Sequence, residues 1–156
     1  MSAATSTIAI TLSFAALMLA LPGQASAQRL DLSVSPTVIS FPPGDPDAFP
    51  VITSAPVTVT YRVRPLDRPW QITVLASGDL IAGASTVDIS NVSWVATPAP
   101  PFRNGTLSKT VAQFVATGTG NVNPTASGSL TFRLTNSWNY STGTYTQSLV
   151  FTLSAP

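Results

Sequence analysis

The sequence predicts an all-β protein, an antiparallel two-sheet β-sandwich of immunoglobulin-like type with about eight strands behind a secretory leader. Apolar and polar residues alternate with period two in one run after another. Clusters of Gly, Pro, Asn and Asp separate the runs, and after the leader no segment shows the 3.6-residue apolar period of an amphipathic helix.

The leader comes first. An apolar run from Ile8 to Leu21 precedes Pro22-Gly23, and Ala25-Ser26-Ala27 has the small-residue pattern of a signal-peptidase site. The run is too short to be read as a stable membrane span, and no later stretch reaches 18 uninterrupted apolar residues. Residues 1–27 are therefore expected to be a secretory signal peptide and residues 28–156 one domain. About 129 residues would remain after cleavage, enough for a single hydrophobic core. The expected location is secreted, at the cell surface or in the periplasm.

The strands follow in order. Leu30, Leu32 and Val34 alternate with Asp31, Ser33 and Ser35, as Val57, Val59, Tyr61 and Val63 do with Thr58, Thr60 and Arg62. Trp70, Ile72 and Val74 repeat the pattern, as do Leu130, Phe132 and Leu134, and later Tyr145, Leu149, Phe151 and Leu153. Further strands are expected near Thr37–Phe41, Thr86–Ile89, Val92–Ala96 and Leu107–Ala116. Between them, the stretch Phe41–Pro50, with Pro42, Pro43, Pro46 and Pro50, reads as a stiff connector. Ser77-Gly-Asp79, Thr97–Pro101, Asn104-Gly105, Gly118-Thr-Gly120, Asn123-Pro124 and Ser141-Thr-Gly143 read as turns.

Composition narrows the function classes. There are seven cations, six anions and no histidine or cysteine, so the formal net charge is +1. Near-neutrality argues against a nucleic-acid partner, since such binding rests on many Lys and Arg contacts to phosphate. Thiol nucleophiles, imidazole bases and the usual zinc ligands are absent, and all six anions are aspartates. No cofactor or metal is expected, and no enzyme activity. Asp45 and Asp47 could open a calcium loop, but no third acidic residue follows nearby and turn formation in a proline loop explains both; Lys109 with Ser108 or Ser129 could form a dyad but sits in an ordinary alternating context. Asn91, Asn104 and Asn139 each begin an Asn-x-Ser/Thr sequon.

The aromatics divide by context. Trp70 and Trp94 have apolar neighbours at strand spacing and read as core. Trp138 and Tyr140 lie in Asn136-Ser-Trp-Asn-Tyr140 just before a turn, where an aromatic has less reason to serve the core; both are candidates for surface binding or an interface.

Tyr145, then Leu149-Val-Phe-Thr-Leu153 and Pro156, resembles the distal motif of the bacterial WxL cell-surface domains, Tyr-x-x-x-Leu-Thr-Trp-x-Leu-x-x-x-Pro. Trp70-Gln71-Ile72 is similar to the proximal Trp-x-Leu. Phe151 occupies the place of the distal tryptophan and Ile72 that of the proximal leucine, and the final spacing is one residue shorter. The resemblance implies a divergent WxL-like module that attaches non-covalently to peptidoglycan or other surface components, with Trp70, Ile72, Tyr145, Leu149, Phe151 and Leu153 in the motif positions. The alternating segment at Leu30, Leu32 and Val34 also makes the chain resemble bacterial fimbrial and spore-coat-type subunits. That resemblance implies a structural subunit that self-assembles by N-terminal strand addition.

Overall fold

Fourteen strands account for most of what the computed structural model describes, namely the backbone of residues 7–12 and residues 29–64, 67–141 and 143–156. In chain order they are β1 (Thr7–Leu12), β2 (Arg29–Ser35), β3 (Val38–Phe41), β4 (Val51–Thr53), β5 (Val57–Arg64), β6 (Pro69–Ala76) and β7 (Leu80–Ala82). They continue as β8 (Ser85–Val87), β9 (Val92–Thr97), β10 (Gly105–Thr106), β11 (Gln113–Thr119), β12 (Val122–Thr135), β13 (Thr144–Tyr145) and β14 (Ser148–Ser154). Among the described residues there is no α-helix. One 3-10 turn, Ile89–Asn91, is capped by Asp88, whose Oδ1 accepts the Ser90 N–H at 2.8 Å.

The strands form two main sheets, as the alternation predicts. One runs β11-β6-β14-β1-β13, with β3 paired to β1; the other runs β10-β9-β12-β5-β2, with β4 paired to β12. A β7–β8 hairpin attaches through an Ile81–Thr146 bridge. Alternate residues of β5, β6, β12 and β14 are buried in one core between the sheets. Tyr61 of β5 crosses that core to Trp70 of β6, with ring centroids 4.9 Å apart, in the tilted geometry aromatic pairs favour.

Several expectations need correction. The strands number well above eight because the long runs are supplemented by pieces of two to four residues. The pairing is antiparallel except at β1, which runs parallel to β13 and β14. Residues 113–119, not 107–116, form the eleventh strand. Ser108 explains the difference, since its Oγ accepts the N–H groups of Thr110 and Val111 and folds that stretch into a turn. Asn123-Pro124 lies inside β12, where the register to β5 shifts between Val122 and Ala126. A proline has no N–H for the ladder, and the irregularity absorbs it.

Two glycines expected in turns instead sit in strands beneath tryptophans. Gly105 pairs with Trp94 and Gly118 with Trp70, and a Cβ at either position would overlap the indole ring. Gly128 of β12 lies against Phe102 in the same manner. Each large ring spreads over backbone that lacks a side chain, which lets two adjacent strands share one flat aromatic.

Candidate functional site

The loop after β12 is built on its first residue. Asn136 donates through Nδ2 to the carbonyls of Gly44 and Phe49, at 3.0 and 3.1 Å, and its backbone N–H bonds the Pro50 carbonyl at 2.8 Å. One side chain thus ties the proline-rich connector to the end of a core strand. The connector has its own turn, in which the Asp45 Oδ1 accepts the Asp47 N–H at 2.9 Å and the Asp45 carbonyl accepts from Ala48 and Phe49.

Trp138 sits where these two loops meet. It is 62% exposed, and its Nε1–H donates to the Asp47 Oδ1 at 3.0 Å. The indole is held by its edge and leaves its ring to solvent. Phe49 and Val51, on the connector and the strand that follows it, are also exposed. Tyr140, the other aromatic of the segment, is half-buried and packs against the core; burial, then the charge of Asp88, then Tyr145 raise its phenol above the ordinary range. The two aromatics that the sequence groups therefore separate, Trp138 outward and Tyr140 inward.

The motif positions lie elsewhere and are buried. Trp70, Ile72, Tyr145, Leu149, Phe151 and Leu153 all belong to the core, and β6 and β14 bring most of them together by direct pairing, with Phe151 opposite Val74 and Leu153 opposite Ile72. Tyr145 reaches out only through its hydroxyl, which donates to the Ser141 carbonyl at 3.0 Å. Among the described residues the buried Trp70 Nε1 has no hydrogen-bond partner, whereas the Trp94 Nε1 donates to the Arg103 carbonyl at 2.9 Å.

The remaining candidates have structural partners. Lys109 donates to the Asp79 Oδ2 at 2.6 Å and lies 3.8 Å from Asp88. The lysine hydrogen bond, followed by the Ile89 N–H, holds the Asp79 carboxyl below its ordinary range, and the same bond raises the Lys109 ammonium. A lysine so held is a poor base for Ser108, which is engaged in its own turn, while Ser129, inside β12, pairs with Thr58 and Thr97. Among the described residues no group of three or more Asp, Glu, His or Cys side chains is placed to hold a metal ion. An open depression beside Asp79 is lined by Ile81, Thr146, Gln147 and Ser148.

A second feature concerns backbone. β1 occupies a seat between β14 and β3: Thr11 and Leu12 pair with Ser148 and Leu149 on one side, and Ile8 to Thr11 pair with Phe41 to Val38 on the other. β3 has no other sheet partner among the described residues, yet its Ile39 and Phe41 are buried in the core. Sequence reading missed this strand because Thr7–Leu12 lies within the apolar leader. Its signal was there in Ile8, Ile10 and Leu12 at every second position. β2, the segment expected to be available for strand addition, pairs along its whole length with β5 at the edge of the opposite sheet, with Leu30 and Leu32 only half-buried. The Asp47–Trp138 contact was not legible, since nothing local joins residues 91 positions apart.

No protein family matches this chain, and no curated protein is similar to it. Among the described residues no helix is long and apolar enough to cross a membrane.

Proposed function

We propose that the protein is an exported, non-catalytic module of the bacterial surface or envelope, a WxL-like β-sandwich whose working partners are wall components or further copies of itself. Of these two modes, assembly by strand addition has the more specific support. The observation that carries it is the seat between β14 and β3, filled by a strand from the stretch that reads as a cleavable leader. Once the leader is removed, one edge of β14 and one edge of β3 would face each other across a gap one strand wide. Unpaired strand edges recruit another strand, because each backbone N–H and C=O regains a partner.

The donor in this reading is β2 of a neighbouring copy. Leu30, Leu32 and Val34 have the same spacing as Ile8, Ile10 and Leu12, and β2 is an edge strand that can leave β5 without opening the sheet. Direct wall binding through the motif positions would require Trp70, Tyr145 and Phe151 to leave the core, where each is at most 4% exposed. Wall attachment, if it accompanies assembly, is better assigned to the surface.

The test is gel filtration of the protein beginning at Gln28. Concentration-dependent oligomers are expected, which should be lost when residues 28–35 are deleted and dispersed by a peptide spanning residues 5–14. A monomer at all concentrations that ignores the peptide would rule out strand addition; if that monomer sediments with purified peptidoglycan, wall binding becomes the primary mode.

A further inference from the structure

Beyond assembly, we infer that Trp138 and Asp47 form a saccharide-binding platform at the loop end of the sandwich, one that stacks a single pyranose ring on the indole. The geometry is that of a ligand surface and not of misplaced core. A tryptophan that is 62% exposed on a loop buries little apolar area for the fold, yet its position is fixed at both ends of its hydrogen-bond chain. The Asp47 carboxylate holds the indole N–H, the Asp45 side chain holds the Asp47 backbone, and Asn136 holds the connector on which both aspartates stand. Little ordering remains to be done on binding, which is the condition under which a small contact area yields measurable affinity.

The chemistry selects the ligand class. With its N–H committed to Asp47, the indole offers its π face, which is electron-rich and suited to the C–H bonds on the flat face of a pyranose. Asp47 uses Oδ1 for the indole, leaving Oδ2 to accept a sugar hydroxyl, and Asn139, the next residue in the chain and also exposed, carries an amide that can both donate and accept. A flat aromatic bordered by a carboxylate and an amide matches a polyol with one apolar face. A protein partner that used the indole as an anchor would seal it from water in the complex, and Trp138→Ala would then abolish self-association.

The experiment is titration of the full chain with soluble saccharides, chitohexaose, cellohexaose and sonicated peptidoglycan fragments, followed by tryptophan fluorescence and calorimetry. Saturable binding of at least one probe is expected, with a Kd on the order of 1 mM or below. Trp138→Ala should weaken it about tenfold or more, the loss of one stacked ring, with an unchanged melting temperature. Trp138→Phe should retain part of the affinity by keeping a ring, and Asp47→Asn should weaken binding while leaving an acceptor for the indole. Absence of binding by the wild-type chain to all three probes at on the order of 10 mM would overturn the proposal, as would equal affinity in wild type and Trp138→Ala. It would equally be overturned if Trp138→Ala abolished self-association and left saccharide binding intact, which would make the indole a protein contact. Strand addition uses β1, β2, β3 and β14, so the two proposals can fail separately.

Discussion

At the scale of single residues, the sequence separates the tryptophans by their neighbours, and the structure supplies the reason each can be where it is. Trp70 and Trp94 are accommodated by Gly118 and Gly105 on the strands beside them. Local reading assigns these glycines to turns because glycine is the usual turn residue, and only the register shows that they are needed for close approach. Gly118→Ala is expected to destabilise the domain by about 1–3 kcal/mol, because the new methyl overlaps a buried indole that has no room to retreat. The smaller gain from a stiffer unfolded chain, about 0.4–1 kcal/mol, does not offset this. Urea denaturation with an unchanged slope is the measurement, and equal midpoints for variant and wild type would show that the ring is not confined.

At the scale of elements, short segments are held by side chains where ladders run out. Ser54, at the end of β4, accepts the Phe132 N–H through Oγ at 3.0 Å and donates to the Ala55 carbonyl at 2.7 Å, while its own N–H bonds the Phe132 carbonyl at 2.9 Å. Lys109 fastens the turn after β10 to Asp79, between β6 and β7. Asp79 has a folded-state value below its ordinary 3.8, so its contribution to stability is present above 3.8 and is lost as pH falls through the folded value. Lys109 lies above its ordinary 10.5, so its contribution is present below 10.5 and is lost as pH rises through the folded value. Wild type should therefore melt slightly above Lys109→Met across the interval between, and the gap should close at both extremes. Both side chains are partly exposed and screened by salt, so the gap is expected to be small. A gap that persists unchanged well below pH 3.8 would show that the pair contributes through packing of the lysine stem and not through charge.

At the scale of the whole molecule, β1 links β3 and β13 to β14 in the first sheet. Removing β1 leaves β3 with two buried anchors, Ile39 and Phe41, but no ladder, and turns β14 into an edge strand. The chain beginning at Gln28, kept dilute enough to prevent self-association, is expected to melt below the full chain. A peptide of residues 5–14 should raise its melting temperature in proportion to the logarithm of peptide concentration, since it binds only the folded form. If the two chains melt alike and the peptide has no effect, β3 must close directly onto β14 and the seat has no existence in the shortened protein.

The sequence by itself determined the all-β class, the two faces of β5, β6, β12 and β14 and the proline-rich connector. Alternation and turn chemistry are local, and a buried face leaves its mark at every second residue. Only the tertiary structure decided that Tyr140 faces inward, that β2 pairs within its own chain, that Asp47 holds the Trp138 indole and that residues 7–12 take a seat between β14 and β3. Each of these is a pairing between distant segments. Local pattern indicates which residues seek a partner; register and topology determine which partner they meet.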